Sequence, residues 1–278
     1  KAKDFIEKNN PQLELSPTKQ FELINKMSQE HGLFASTQFR EFYDNLKSLS
    51  KQGTIPMVAL HEGETRTARP GLGKGGDATP GKYIAGEVPI SGGNKAQAMG
   101  NAVFRGDRMV GIINGQETRY YLMLTGHFDR GISAIPDPLS TEPTPVDLML
   151  EQARKPVYKI SIDEDGKAFV NVDIYLEPEI ISIMSGNNYE NPELKPVLEE
   201  ALSKNIEQGC HDLVRRTQEE FQSDIFGFGN HVKHRFLTIQ SWKEFEWISK
   251  YPDAQVNVAV HTRIRRTGLL LKTSTIKE

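Results

Sequence analysis

The sequence predicts an α+β protein of two domains, each built from a largely antiparallel or mixed sheet with helices packed on one face. Short stretches of alternating apolar and polar residues indicate strands, and one apolar stripe at helical spacing indicates a long helix from residue 192 onward. The strands come in groups instead of alternating one by one with helices, which favours α+β over a parallel α/β fold. A length of 278 residues is enough for about two domains, each with its own core.

We place the domain boundary in a proline-rich segment. Residues 135–145 contain four prolines, which favours an extended linker. The predicted domains are therefore residues 1–134 and 146–278. Within the first domain, residues 62–81 are rich in glycine, proline, threonine and charge, so they predict an exposed, mobile loop.

The first sixty residues predict two helices and a short strand. Ser16 and Pro17 provide the cap and first-turn signals of one helix. Aromatic residues at helical spacing predict a second helix that begins at Ser36 or Thr37. A strand over residues 55–60 follows.

The rest of the first domain predicts strands at 83–90, 99–104 and 108–113. Gly106 and Asp107 form a two-residue turn between the last two strands, which is a hairpin signal. Asn114 followed three residues later by Glu117 is a capping box, so a short helix begins there.

The second domain begins with a hairpin and continues with the long helix. Asp165 and Gly166 separate the alternating stretches 158–162 and 169–176. Asn191 and Pro192 open the helix, and its apolar stripe continues to Phe221.

A second capping box and a regular strand end this domain. Ser241 and Glu244 predict the start of a short helix. From Gln255 the alternation is strict and predicts a half-buried strand. Its two faces are Val256, Val258, Val260, Thr262 and Ile264 on one side, and Asn257, Ala259, His261, Arg263 and Arg265 on the other.

Composition excludes several classes of function. With 34 basic and 37 acidic residues the net charge is −3, so no nucleic-acid partner is predicted. The longest apolar run, Tyr120–Leu124, is far shorter than the ~20 residues that span a bilayer. The single cysteine, Cys210, rules out an internal disulfide and is expected to serve packing in the long helix.

Motifs for catalysis or cofactor binding find no supporting context. Gly71, Gly73 and Gly76 match the dinucleotide-binding glycine pattern, but the residues that follow cannot open a helix, which favours a solvated loop. Only His231 and His234 lie close together in sequence, and no zinc motif or nucleophile elbow is present. We therefore predict no catalytic residue, cofactor or metal.

Two short basic stretches are the candidate interaction surfaces. They comprise Arg105, Gly106, Asp107 and Arg108 at the hairpin turn, and Arg263, Arg265 and Arg266 after the closing strand. Such arginines can meet an acidic partner or anionic lipid, but they also protect edge strands, and turn glycines serve backbone geometry. Both interpretations stay open. The helix carboxylates Glu199, Glu200, Glu219 and Glu220 are interpreted as solvated surface.

Three stretches of the chain resemble the C-subunit of bacterial spore nutrient germinant receptors, the Ger(x)C lipoprotein family. They are Gly100–Gly126, Ser223–Gly229 with Trp242 downstream, and Val256–Gly268. Their order and spacing are similar to those of the family over essentially the whole chain.

The resemblance implies a three-domain α+β protein that is secreted and tethered by a lipidated N-terminal cysteine to the outer face of the spore inner membrane. It implies a polytopic A-subunit and a B-subunit as partners, and it implies no catalysed reaction. Lys1–Asp4 looks like the region just after the family's first domain, so this chain is expected to hold the middle and C-terminal domains. Cys210 lies too deep in the chain to be the lipid site, and no ligand-binding residue is carried over.

The leading functional hypothesis is a non-enzymatic receptor subunit that acts in germination through protein surfaces. Two alternatives stay open. One is a module that binds a small nutrient germinant in a cleft between the two domains. The other is a hydrolase whose site is dispersed along the sequence.

Overall fold

The computed structural model describes residues 26, 30–60, 80–88, 96–142, 144–189 and 191–265. Their main elements, in chain order, are α1 (Phe39–Leu46), β1 (Thr54–Leu60), β2 (Ala96–Arg105), β3 (Arg108–Ile113), α2 (Gly115–Thr125), β4 (Arg130–Pro136), β5 (Pro145–Ile162), β6 (Ala168–Ile183), α3 (Lys195–Arg216), α4 (Phe228–Val232), α5 (Ile239–Phe245), α6 (Trp247–Lys250) and β7 (Gln255–Thr262). A π-helical turn, Thr217–Phe221, extends α3.

The strands of the described residues form two sheets. The first is antiparallel with the order β1-β2-β3. The second has the order β4-β5-β6-β7, and only β7 runs parallel to its neighbour. A parallel pair needs a long crossover connection, which α3 and the shorter helices after it provide. The prediction of an α+β fold with antiparallel and mixed sheets is confirmed.

Both sheets and α3 share one apolar core. The apolar stripe predicted for the long helix is confirmed by its buried side chains, which are Leu198, Leu202, Ile206, Cys210, Leu213 and Val214. Burial raises the pKa of the Cys210 thiol, so this group stays protonated and packs as an apolar side chain. The helix starts at Lys195, slightly later than predicted, because Asn191 first accepts turn bonds from Leu194 and Lys195 through its carbonyl.

The two ends of the proline-rich segment 135–145 belong to strands of the second sheet. Ile135 and Pro136 end β4, which pairs along its length with β5, and Pro145 begins β5. Strand ends tolerate proline because an N–H group can be spared there. The chain therefore enters the second sheet before the predicted linker, and the division into two domains stays a prediction.

Asp137 holds the loop between β4 and β5. Its carboxylate accepts hydrogen bonds from Leu139 N at 2.8 Å and Asn187 Nδ2 at 3.0 Å, and also from the hydroxyls of Ser185 and Tyr189. Burial alone would raise the pKa of Asp137, but these hydrogen bonds outweigh it and lower the pKa. The loop is thereby fixed to the residues that follow β6.

The strand predicted at 83–90 is wrong in its described part. Residues 80–82 form a 3-10 turn, and turns continue to residue 88. Gly86 has a φ of +91°, which breaks an extended backbone. The segment instead makes single bonds to its neighbours, for example from Ala85 N to Met99 O at 3.0 Å.

The hairpin turns and one of the two capping boxes are confirmed. Asn114 and Glu117 bond reciprocally at the start of α2, at 2.9 and 2.8 Å. The predicted box at Ser241 is wrong, because α5 begins one turn earlier with Thr238 as its cap.

Other predictions are only partly covered by the described residues. The helix predicted from Ser16, the glycine pattern at residues 71–76 and most of the loop 62–81 lie outside them. In the part of the chain that the structure describes, no helix is long and apolar enough to cross a membrane. The same residues form no cluster of histidine, cysteine and carboxylate side chains that could hold a metal ion.

Candidate functional site

The closing strand, β7, has the two faces that its alternation predicts. Val256, Val258, Val260 and Ile264 are buried in the core, whereas Asn257, His261, Arg263 and Arg265 are exposed. The strand lies at the edge of its sheet, so only one side of its backbone is paired with β6.

Helix α3 supplies partners for the other side of β7. Three bonds form what we call the edge ladder: Val260 N to Glu207 Oε1 at 2.8 Å, Thr262 Oγ1 to Ser203 Oγ at 2.9 Å, and Ile264 N to Glu199 Oε1 at 2.7 Å. The ladder occupies N–H groups that an edge strand otherwise exposes.

The spacing of the edge ladder follows from helix and strand geometry. Glu199 and Glu207 are eight residues apart, about 12 Å along a helix at 1.5 Å per residue. Val260 and Ile264 are four residues apart, about 13 Å along a strand. The helix therefore runs antiparallel to β7 and stands in for a neighbouring strand.

The edge ladder corrects the interpretation of Glu199 as free surface. Its carboxylate is half-buried and bonded to the strand, while Glu200 is exposed and pairs with Lys204, as predicted for a solvated charge. A signal was present in the sequence, because Glu199, Ser203 and Glu207 repeat every four residues beside the apolar stripe. The edge that they cover could not be identified without the topology.

The edge ladder predicts a difference between adjacent glutamates. We expect Glu199→Ala to lower the free energy of unfolding by about 1–2 kcal/mol, because the N–H of the buried Ile264 loses its acceptor. Glu200→Ala is the matched control and is expected to change stability little. Urea unfolding followed by circular dichroism measures both. Equal losses for the two variants would contradict this role for the ladder.

A groove of about 830 Å³, here called the basic groove, opens where β7 ends. Its walls are the outer faces of β5 and β6, the end of β7 and the first turns of α3. Its basic lining residues are Arg154, Lys195, His261, Arg263 and Arg265, and its acidic ones are Glu177 and Glu199. Cations therefore exceed anions in the groove.

Stacking and one ion pair organise the basic groove. The Arg154 guanidinium lies 3.6 Å from the centroid of the Tyr175 ring, and this ring stacks on His261 at 4.9 Å. Arg265 Nη2 lies 2.7 Å from Glu177 Oε1. By contrast, Arg263 is exposed and forms no ion pair with any residue that the structure describes. The edge ladder holds the neighbours of this arginine, Thr262 through its side chain and Ile264 through its N–H.

Two residues of the predicted hairpin surface, Arg105 and Gly106, make hydrogen bonds within the protein. Gly106 has a φ of +59° and donates its N–H to Gln52 Oε1 at 2.6 Å. Arg105 Nη1 donates to Gln222 Oε1 at 2.6 Å. Only Asp107 and Arg108 are exposed and without such a bond in the described structure. The first two residues thus hold the hairpin against the rest of the protein.

The structure does not bring the two predicted basic stretches together. The hairpin belongs to the first sheet, whereas Arg263 and Arg265 follow β7 of the second sheet. Neither of the cavities described here is lined by residues of both stretches. Arg266 lies outside the described residues.

Asp224 forms a fully buried clasp that the sequence analysis missed. Its Oδ1 accepts from Gly227 N at 2.8 Å and Phe228 N at 3.2 Å, and its Oδ2 accepts from Gly229 N at 2.9 Å and Trp247 Nε1 at 2.8 Å. Burial raises the pKa of Asp224, and these four hydrogen bonds oppose the rise.

The Asp224 clasp also connects the second half of the chain to the first sheet. The carbonyl of Asp224 accepts from Gln52 N at 2.7 Å, and Ser223 Oγ donates to Phe104 O at 2.7 Å. The stretch Ser223–Gly229 therefore has a structural role. Its tryptophan partner is Trp247, whereas Trp242 packs with Phe236 and Phe245.

Comparison with known proteins places this fold in a family. The family model described as Spore germination B3/GerAC like, C-terminal, matches residues 99–268. The spore germination protein GerQC of Bacillus cereus is 25% identical over 178 residues, which are 64% of this chain and 47% of that protein. The spore germination protein KC of Bacillus subtilis (strain 168) is 25% identical over 108 residues, which are 38% of this chain and 26% of that protein. The crystal structure of the GerBC protein is similar over 62% of this chain and 52% of its own, with 16% identity and a TM-score of 0.49.

The family match covers the features described above. Residues 99–268 include the Asp224 clasp, the edge ladder and all three stretches that resemble germinant receptor C-subunits. The matched part of this chain spans 47% of the first curated relative and 26% of the second, so it corresponds to about half of their length or less. The names of both relatives describe spore germination proteins. The chain belongs to the family described as Spore germination B3/GerAC like, C-terminal.

Proposed function

We propose that this chain is a non-enzymatic subunit of a spore nutrient germinant receptor that associates with the membrane A- and B-subunits. The basic groove is the observation that carries the proposal. Arg154, Lys195 and Arg263 have no ion pair with a described residue, and they line one open groove at the edge of the second sheet. An acidic segment of a partner subunit complements such a groove, because opposite charges steer association and set its orientation.

The rigidity of the groove supports this role. The edge ladder holds the side chain of Thr262 and the backbone N–H of Ile264, so the residues on both sides of Arg263 are fixed. The stack of Arg154, Tyr175 and His261 holds together side chains of β5, β6 and β7 in the groove. A preorganised surface loses less conformational entropy on binding than a flexible one.

Attachment to the outer face of the spore inner membrane through an N-terminal lipid on the full-length protein is part of the proposal. Metabolic labelling with a palmitate analogue, followed by fractionation of spore membranes, tests it. A full-length protein that carries no label and leaves the membrane in high salt would contradict this part.

Charge reversal in the basic groove tests the association. We expect Arg263→Glu in the full-length protein to lower the recovery of the A- and B-subunits from spore membranes by about tenfold, since one reversal both removes an attraction and adds a repulsion. Arg265→Glu is expected to act in the same direction, although it also loses the pair with Glu177. Arg215→Glu, on an exposed turn of α3 outside the groove, is the matched control.

Thermal unfolding shows whether each variant is folded. Normal recovery with a folded Arg263→Glu protein would remove the groove as the binding surface. If the unaltered protein failed to co-purify with either subunit, and its deletion left nutrient germination intact, the receptor-subunit proposal would fall.

Binding of a small nutrient germinant stays a prediction. The basic groove lies at the end of one sheet and not between the two sheets. Titration calorimetry with amino acids and sugars tests it, and a flat response would remove it.

A further inference from the structure

Leu237 is 102% exposed, which is the highest value among the large apolar side chains that the structure describes. Ile239, two residues further along the chain, is 68% exposed. Single exposed apolar residues are common on protein surfaces, but two of them on one short segment call for an explanation. We call residues 233–239 the apolar tip.

The backbone of the apolar tip is held in place. Arg235 Nε donates to Ile160 O at 2.8 Å, which ties the start of the tip to β5. The Phe236 ring packs against two aromatic rings of α5, with centroid distances of 5.5 and 4.8 Å. Thr238 caps α5 through its hydroxyl. Leu237 therefore lies between two fixed residues, and its exposure does not come from a loose loop.

Positive charge flanks the two exposed apolar side chains. The exposed basic residues of the tip and of α5 beside it are Lys233, His234, Arg235 and Lys243. None of them forms an ion pair with a residue that the structure describes. No aspartate or glutamate occurs in the sequence between Asp224, which is buried, and Glu244. The tip is thus basic as well as apolar.

Acidic residues lie toward the other end of α5. They are Glu244, Glu246 and the residues of the turn after β5, Asp163, Glu164 and Asp165. Lys250 Nζ lies 4.3 Å from the Phe245 ring centroid and would lie 3.2 Å from a Cβ atom at Gly166, which places that turn near the last residue of α5. The first and last residues of α5 are about 9 Å apart along its axis. The basic residues and the turn carboxylates are therefore separated along the helix, and Lys250 lies beside the turn.

The surface of an anionic lipid bilayer fits these properties. Apolar side chains enter the boundary between headgroups and acyl chains, while basic side chains meet the phosphates. A protein partner fits less well, because a stable interface needs about 800 Å² per partner. The tip lines neither the basic groove nor a second cavity of about 500 Å³ beside β3, so neither cavity offers it a pocket for a partner side chain.

We propose that the apolar tip docks on the surface of an anionic lipid bilayer, with Leu237 and Ile239 at the acyl boundary and the basic side chains at the headgroups. This contact goes beyond the proposed function and does not depend on it. Arg154 in the basic groove and Ile160 beside the tip are six residues apart on β5, about 20 Å along the strand. The protein can therefore hold a membrane and a partner subunit at separate places.

A fluorescent probe at position 237 tests the contact directly on this chain. Cys210, its single cysteine, is buried and its thiol stays protonated, so nitrobenzoxadiazole labels a cysteine introduced by Leu237→Cys selectively. Vesicles of phosphatidylcholine and phosphatidylglycerol in equal amounts are expected to raise the emission at least about twofold. The control is Leu139→Cys, on an exposed leucine in the loop at the far end of β5, where no rise is expected.

Co-sedimentation with the same vesicles separates the apolar from the charged contribution. We expect the double variant Leu237→Ser, Ile239→Ser to lower the partition coefficient by about tenfold, because two aliphatic side chains leave the acyl boundary. Lys233→Glu is expected to lower it by about fivefold, whereas Arg215→Glu on α3 leaves it unchanged. Thermal unfolding shows that each variant is folded.

Several results would overturn the lipid contact. One is no rise in emission at position 237, or an equal rise at position 139. Another is equal binding to vesicles of phosphatidylcholine alone, which would remove the role of the basic residues. If position 237 responds to solubilised spore membrane proteins and not to vesicles, the tip is a protein surface and the lipid proposal falls. The receptor proposal is tested by co-purification, so it stands or falls independently of these measurements.

Discussion

Replacing Asp224 by alanine is expected to lower the free energy of unfolding by roughly 3–5 kcal/mol, because four buried N–H donors lose their acceptor at once. Single domains are stable by about 5–15 kcal/mol, so this one change removes a large share of the total. The loss reaches both halves of the chain, since the backbone of Asp224 also accepts from Gln52.

Denaturant unfolding of purified protein, followed by tryptophan fluorescence, measures the effect of Asp224→Ala. Asp224→Asn keeps nearly the same volume but turns an amide N–H₂ group toward donors. We therefore expect its loss of stability to be at least roughly half that of Asp224→Ala. Asp253→Ala, at an exposed aspartate in the nearby 3-10 turn, is the control and is expected to change stability little. A folded Asp224→Ala protein as stable as this control would show that the clasp is not needed.

Gly229→Ala is expected to cost roughly 2–4 kcal/mol through steric overlap. A Cβ atom at this position would lie 2.3 Å from Trp247 Cδ1 and 2.4 Å from the backbone oxygen of Ser50. Trp247 cannot move without losing its hydrogen bond to Asp224, and the Ser50 oxygen belongs to the backbone. The sign of the change in stability is informative, because Gly229 lies in a helix. An unhindered glycine-to-alanine change in a helix stabilises a protein by about 0.4–1 kcal/mol.

Gly106→Ala is the matched comparison for this prediction. No atom lies within 4 Å of a Cβ built at Gly106, but its φ of +59° is unfavourable for alanine, so a loss of about 1–2 kcal/mol is expected. Thermal and denaturant unfolding of both variants separate overlap from backbone strain. A smaller loss for Gly229→Ala than for Gly106→Ala would contradict the close packing around Trp247.

Features with a local cause were predictable from the sequence. The capping box at Asn114 depends on two residues one turn apart, and the faces of β7 depend only on alternation. Both are present in the structure at the predicted residues. The family could be identified for the same reason, since the stretches that resemble it lie in these regular elements and their turns.

Features that depend on residues distant in sequence were not predictable. Arg235 illustrates the difficulty, because it donates to Ile160 O at 2.8 Å across 75 positions. The clasp of Asp224 similarly depends on Trp247, and the choice between two tryptophans cannot be made by spacing. The proline-rich segment was assigned as a linker because prolines at strand ends and in linkers have the same local signature. For the candidate site, the arginines after β7 were predicted, but the groove that gathers them with Arg154 was not.

The edge ladder has a mechanical consequence for β7. The strand is paired with β6 along the whole of one edge, and near its end Val260 N and Ile264 N are bonded to α3 on the other edge. A force applied along the strand at Ile264 therefore acts in shear on many hydrogen bonds at the same time. The hairpin strand β3, which is paired along one edge, would instead peel away bond by bond under a pull from its turn. A partner bound to the arginines beyond β7 would thus move the long helix and the strand as one rigid body.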